Sequence, residues 1–548
     1  MDRQKSIAII GAGVSGLTAI KECLDYGLAP TCFEKSADIG GLWRYKSIEV
    51  EGEGSVMKST VINTSKELMA FSDFPPPSHF SNYMHHTKVL EYFRMYAAHF
   101  NLLPHILYES PVVMISQAED YDASGKWIVE YQPPGSTTTI SKTFDGVMLC
   151  TGHHAYPYFG NVSGLHTFPG EVIHSHGYKR PTGYEDKVVV VVGMGNSGGD
   201  ISTELAKVSA KVYLATRRGN WVLSRIGDHG YPGDVFLGSR FANWVFVNFP
   251  NLYNSYLERS CNALFDHETY NVKPEHRPTQ QHLISNDEMA TRLINGGLVV
   301  KPGIAEVKGS TVVFTDGTKV EKVDKIVLCT GYSISFPYLQ KGIIPVDDNQ
   351  VSLYKYMFPP NLPHATLCAI GLVQPYGALM PVSEMQSRVF ASVQVGDIQL
   401  PSRQAMEADI LAKRKIMAKR FVTGRRYTIQ ENFVPFLDEL GGMLGVTPRI
   451  RDYILKDPHL AWYLIFGPCV PYHFRLTGKH AWSKARETIL TTFERMLVPT
   501  VLKQNIPVIM KRQAFAPRLF WSRLIIAMLF CFLVILILFK VHNKLRVY

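Results

Sequence analysis

Two apolar runs that lead straight into glycines organise the chain. Residues 6–10 (SIAII) run into GAGVSG, and apolar positions at helical spacing follow over residues 17–26. Residues 188–192 (VVVVV) run into GMGNSGGD, with a second helical pattern after Asp200. A short apolar run bounded by glycine and followed by helical spacing predicts a fully buried strand of a parallel sheet. Following strands are predicted at residues 30–33 and 211–215, and each unit is matched by a later strand with a shared ending. These are FDGVMLCTGH (residues 144–153) and VDKIVLCTGY (323–332), at nearly equal distances from their glycines. Such spacing predicts two related nucleotide-binding units.

The glycines fix the chemistry of these units. Gly11, Gly13 and Gly16, and again Gly193, Gly195 and Gly198, fall where a dinucleotide fold needs a tight turn, a backbone approach to pyrophosphate and close helix packing. In the first unit Glu34 ends the next strand and suits ribose hydroxyls. In the second that place holds Thr216, Arg217 and Arg218, and a hydroxyl with a guanidinium fork suits a 2′-phosphate. The plainer alternative for the arginines is a solvated pair on a loop. Two cradles, one selecting NADP, imply an electron path from nicotinamide to a second dinucleotide, FAD.

The expected fold is therefore α/β, with two interleaved Rossmann-like dinucleotide-binding domains for FAD and NADP, a helical insertion and a single carboxyl-terminal transmembrane helix. The boundaries read as an FAD domain at 1–165 and 333–445, an NADP domain at 166–220 and 296–332, and an insertion at 221–295. A helical region at 446–518 precedes an anchor at 519–541. Residues 221–285 carry Phe236, Phe241, Trp244, Phe246, Phe249, Tyr253 and Tyr256, which either cover the active-site approach and touch a membrane or form an extra core layer. Helices are predicted at 405–419 and 482–496.

Composition narrows the partners. The 548 residues hold 57 Lys+Arg against 47 Asp+Glu, a charge of +10 that is too mild and diffuse for a nucleic-acid footprint. With 46% apolar and 19% charged residues, disorder, collagen and coiled coil are excluded. The 8 Cys form no Cys-x-x-Cys pair, so no zinc site, other metal site or redox dithiol is expected. No signal peptide precedes the first strand. Residues 524–539 (LIIAMLFCFLVILILF) carry no charge and would span about 24 Å as a helix. Flanking Trp521, Arg523, Lys540, His542 and Lys544 extend that reach towards the ~30 Å hydrocarbon core, the alternative being a buried helix.

Together these features resemble an animal microsomal flavin-containing monooxygenase of the dimethylaniline monooxygenase type. Phe168, Gly170 and His174 fit the Phe-x-Gly-x-x-x-His pattern of that class. DIGGLW (residues 38–43) and INTSKE (62–67) resemble its flavin-contacting loops, and FGPCVPYHFRL (466–476) its carboxyl end. Residues 216–235 and 266–277 are most similar to the fifth vertebrate subgroup, which is associated with Baeyer–Villiger oxidation of ketones and NADPH oxidase activity. The resemblance implies FAD contacts at Gly11, Ala12, Gly13, Val14, Ser15, Gly16, Glu34, Leu42, Trp43, Asn63 and Thr64. It implies NADP contacts at Ser55, Val56, Gly193, Gly195, Asn196, Ser197, Gly198, Gly199, Thr216 and Arg217. Met57 stands where the family has Tyr.

By that resemblance the chain oxygenates lipophilic small molecules with NADPH and molecular oxygen through a flavin C4a-hydroperoxide. Ketones are favoured, with N- or S-oxygenation of amines and sulfides also open. Asn63 is the catalytic candidate, because an amide both donates and accepts without adding charge; a local turn-forming Asn is the alternative. His174 is read as a hinge residue coupling domain orientation to NADP, not as a proton carrier. The implied setting is the endoplasmic reticulum membrane, with lipid contacts and a cytosol-facing catalytic part. A homo-oligomer is left open. The rival enzyme class is an NADPH oxidase releasing hydrogen peroxide.

Overall fold

The computed structural model describes residues 3–507 and 509. The expected anchor at 519–541 lies outside them, and among the described residues no helix is long and apolar enough to cross a membrane.

Both apolar runs are central strands of five-stranded parallel sheets. In the first sheet β1 (Ser6–Ile10) is followed by α1 (Val14–Asp25), β2 (Ala29–Phe33), β3 (Ile106–Leu107) and β4 (Gly146–Leu149). Strand Leu367–Ala369 joins the far side of β4, giving the spatial order Leu367–Ala369, β4, β1, β2, β3. The second sheet holds β5 (Glu171–His174), β6 (Val188–Val192), α2 (Asn196–Leu205), β7 (Lys211–Ala215), β8 (Leu298–Lys301) and β9 (Lys325–Leu328). Its order, β5, β9, β6, β7, β8, repeats the first position by position. Only the source of the outer strand next to the CTG strand differs, from late in the chain in one sheet and from early in the other.

The five valines of β6 show why an unbroken apolar run is needed. Val189 and Val191 pack with Ile201 and Leu205 of α2 on one face, while Val190 packs with Val312 and Phe314 of a three-stranded antiparallel sheet on the other. Alternate side chains of a strand point to opposite faces, and here both faces are covered.

Both helices begin earlier than the apolar periodicity predicts, at Val14 and at Asn196. The glycine turns supply the first helical turns, where apolar spacing carries no signal. Residues 482–496 form two short helices, Ala485–Leu490 and Thr492–Leu497. Thr491 and Thr492 donate their hydroxyls to the carbonyls of Glu487 and Thr488, a back-bonding that bends helices. The aromatic insertion is helical over Gly233–Leu237, Arg240–Asn248 and Pro250–Leu264, and then mostly irregular up to a 3-10 turn at Pro278–Gln280 and a short strand at Ile284–Ser285. None of its seven singled-out aromatic residues is buried, and Trp244 and Phe249 are 46% and 45% exposed.

A buried charge cluster ties distant segments to α1. Arg475, 1% exposed, donates to Glu22 and Glu384 at 2.9 Å each and to the Ser72 hydroxyl at 2.6 Å. Lys21 meets Glu22 at 3.0 Å and Asp73 at 2.5 Å. Arg388 donates to the Phe474 carbonyl at 3.2 Å and Lys21 also meets Asp25 at 2.8 Å, so three cations face four carboxylates.

Candidate functional site

At each strand-to-helix turn the first glycine lies in the left-handed region, Gly11 at φ 101° and Gly193 at φ 104°. A methyl group on either would press on the carbonyl oxygen of the CTG cysteine, Cys150 at 2.9 Å and Cys329 at 2.5 Å. The CTG repeat is therefore the backbone platform that packs under each glycine turn. Methyls on Gly16 and Gly198 would each lie 1.9 Å from the carbonyl oxygen of the first glycine, so only glycine admits this approach of helix to strand.

Both cradles suit an anion. The helix caps Gly13 and Gly195 supply no side-chain hydrogen bond, and neither first turn holds an acidic residue, so first-turn N–H groups face outward at the positive helix end. In the first cradle Ala12 N–H donates to Glu34 Oε2 at 2.7 Å, while Ser36 donates to Oε1 from both N–H and hydroxyl. Those bonds hold the carboxylate beside the turn. The Leu42–Trp43 step follows Gly40, whose N–H donates to the Ala12 carbonyl at 3.1 Å. Ser15 meets Ser383 at 3.1 Å, which locks α1 onto α3 (Leu379–Gln394).

The ending of β7 borders a cleft of about 790 Å³ lined by Thr216, Arg217, Arg218, Lys273 and Lys301, with Glu275 and Asp316 among the other residues. Four cations against two carboxylates make it an anion site. Lys273 and Lys301 are absent from the sequence reading, because neither lies on the strand ending that carries the motif. Ser197 and Gly199 sit in the first turn of α2, and the Asn196 amide oxygen accepts from Ser285 N–H at 3.1 Å. Ser55 donates to the His176 carbonyl at 2.8 Å and accepts from Lys179, so the loop bearing Ser55 and buried Val56 rests on the chain leaving β5.

Asn63 and Thr64 lie on a loop held by the insertion. Arg225 donates to the Asn63 amide oxygen at 2.6 Å, and Asp234 accepts from Ser65 N–H at 2.7 Å. Burial pushes the Asp234 carboxyl up to about 6. Arg225 is itself fixed by Asp287, which accepts from its N–H at 2.9 Å and from its guanidinium at 3.2 Å. The neighbouring Asn286 donates to Asp200 of α2 at 2.9 Å. A hydrogen-bonded path thus runs from the second cradle to Asn63, through residues with no motif of their own.

His174 ends edge strand β5, with its ring against Phe159 and Tyr332. Its Nδ1 accepts from His176 N–H at 3.1 Å, and burial together with the neighbouring His176 pushes its pKa down to about 4. A ring that is neutral through the physiological range is a poor proton carrier.

The flavin-binding monooxygenase-like family model matches residues 4–539. The chain is 45% identical to guinea-pig (Cavia porcellus) flavin-containing monooxygenase 5 over 499 residues, covering 90% of this chain and 93% of the relative. It is 43% identical to rat (Rattus norvegicus) dimethylaniline monooxygenase [N-oxide-forming] 2, covering 90% and 93%. The solved structure of S-allyl-L-cysteine S-oxygenase from Allium sativum is similar with a TM-score of 0.62 at 27% identity, covering 89% and 99%.

Proposed function

The chain belongs to the flavin-binding monooxygenase-like family, and from that premise we propose that it is an NADPH-dependent FAD monooxygenase that favours ketones. The observation that carries the two-cofactor reading is the pair of matched cradles with opposite second-strand endings, Glu34 in one and a cationic cleft in the other. FAD would lie against residues 11–16, Glu34, Leu42, Trp43, Asn63 and Thr64. NADP would lie against residues 193–199, Thr216 and Arg217, with Ser55 and Val56 beside it and Lys273 and Lys301 adding charge at the 2′-phosphate. Bound FAD, reduced by NADPH, would activate molecular oxygen, one atom of which would enter the product while the other left as water.

The chain's own part is to orient and to exclude water. Arg225 only donates, so the Asn63 atom it meets is the amide oxygen, and the amide NH₂ is turned away from Arg225. That NH₂ group would be left free to hydrogen-bond beside the reacting centre. Exposed Trp244, Val247, Phe249 and Leu252 give the insertion an apolar face through which a lipophilic substrate could partition. The ketone preference is supported by similarity to flavin-containing monooxygenase 5; names recording N-oxide formation and S-oxygenation among similar proteins keep amines and thioethers in range.

Under oxygen-18 gas, an aliphatic ketone is expected to give an ester carrying one labelled oxygen per NADPH consumed. Strong labelling of a tertiary amine with no ester would sink the ketone preference. Peroxide equal to the NADPH consumed, with no label in ketone, amine or thioether, would favour the oxidase reading instead. The apolar run 524–539 also supports a carboxyl-terminal anchor in the endoplasmic reticulum. Deleting residues 519–541 is expected to move the protein from the membrane pellet to the supernatant, and unchanged pelleting would refute that role.

A further inference from the structure

Resting on the two-cofactor reading, we infer that Arg426 clasps the pyrophosphate of NADP, reaching the second cradle from a strap formed by residues 420–427. The two cradles repeat each other closely, and they differ in what faces the middle glycine. Opposite Gly13 the nearest atom to an added methyl is the Gly41 Cα at 3.7 Å. Opposite Gly195 it is a guanidinium, with Arg426 Nη1 at 2.7 Å and Cζ at 3.5 Å. A cation stands at the second cradle where the first has bare backbone.

That cation is not engaged elsewhere. Arg426 is exposed and makes no hydrogen bond or ion pair with any described residue. Its neighbours on the strap are all engaged. Arg420 donates to the Thr279 carbonyl and the Asn432 amide, Val422 N–H donates to Gln280, and the Thr423 carbonyl accepts from Arg218. Arg425 pairs with Asp348 at 3.2 Å and lies over Tyr158, while Phe421 and Tyr427 stack at 5.6 Å. The strap follows α4 (Arg403–Arg420), well beyond the second sheet in sequence, yet Val422 and Thr423 line the cationic cleft.

A positive charge at a helix amino end is disfavoured by the helix dipole unless an anion lies between them. The amino end of α2 carries no acidic residue to serve as that anion. The rings beside this charge are also neutral: burial pushes His282 down to about 3, with Arg426 adding to the effect, and burial, His153 and Arg426 together lower His154. A pyrophosphate would supply the missing negative charge, and the engaged neighbours of the strap set the Arg426 backbone beside the cradle. The clasp acts on a group shared by NADPH and NADH, whereas Thr216 and Arg217 meet only the 2′-phosphate.

The test is calorimetric titration of the purified flavin-loaded protein with two fragments. ADP-ribose carries the pyrophosphate without the 2′-phosphate, and 2′-AMP carries the 2′-phosphate alone. Arg426→Ala is expected to weaken ADP-ribose roughly 10- to 100-fold, the range of a charge-assisted hydrogen bond, and to leave 2′-AMP unchanged. Arg217→Ala is expected to do the reverse, and Arg426→Lys to recover part of the ADP-ribose affinity. ADP-ribose binding unchanged in Arg426→Ala, while Arg217→Ala still weakens 2′-AMP, would overturn the clasp alone. Failure of both fragments to bind the parent would overturn the two-cofactor reading, and the clasp with it. Arg426 has no internal partner to lose, so flavin content and melting temperature should match the parent and certify the fold.

Discussion

Arg475→Leu is expected to yield little or no folded, flavin-loaded protein. The substitution leaves Glu22 and Glu384 buried without their shared guanidinium and removes the bond Arg475 gives the Ser72 hydroxyl, which keeps only its own donation to Glu384. Removing one partner from a buried ion network costs about 3–5 kcal/mol, because the remaining charges cannot return to water. A whole domain is stable by only about 5–15 kcal/mol, so the loss is a large fraction of the total. Glu22 lies on α1, whose amino end forms the first cradle, so flavin content should fall together with the melting temperature. Arg475→Lys should be milder, keeping a charge but losing the fork that reaches Ser72, His480 and three carboxylates at once. Differential scanning calorimetry and the flavin-to-protein absorbance ratio provide the readout. A leucine variant melting within roughly 1 °C of the parent, about 1 kcal/mol for a chain this large, would show that the cluster is not a stability element.

Asn63→Ala is expected to separate NADPH consumption from oxygenation. The variant should still oxidise NADPH, while product formed per NADPH falls and hydrogen peroxide takes its place. Removing one positioned hydrogen-bond donor at a reacting centre costs about 10²- to 10³-fold in comparable sites. Arg225→Ala should shift the same ratio in the same direction by less, because it frees the amide to rotate without removing it. The measurement is peroxide and product against NADPH consumed, at saturating ketone. An unchanged ratio in Asn63→Ala would remove Asn63 from the chemistry and leave it as a turn residue.

The features legible in the sequence were those written locally. A five-residue apolar run needs both faces buried, a positive φ needs glycine, and a close helix approach needs no Cβ; each leaves its mark within about a dozen residues. Glu34 and the Thr216–Arg217 ending were readable for the same reason. Arg475 was not, since an arginine among ordinary residues reads as a solvated charge until the fold sets it beside Glu22 and Glu384. Lys273, Lys301, Arg225 and Arg426 were hidden in the same way, reaching the cradles or Asn63 from segments with no motif. The start of α1 at Val14 was missed because glycine turns blur apolar periodicity, and the split of residues 482–496 because threonine back-bonding is independent of hydrophobic pattern.

The origin of the last strand of the first sheet sets an order of assembly during synthesis. Chains emerge from the ribosome amino end first. All five strands of the second sheet lie between residues 171 and 328, so it can close as soon as that stretch has emerged. The first sheet begins at Ser6 yet waits for Leu367–Ala369 to cover the open edge of β4, and α1 waits longer still for Arg475 to neutralise Glu22. The half of the enzyme made first is thus finished last, and through that interval it presents an unpaired strand edge of the kind chaperones bind.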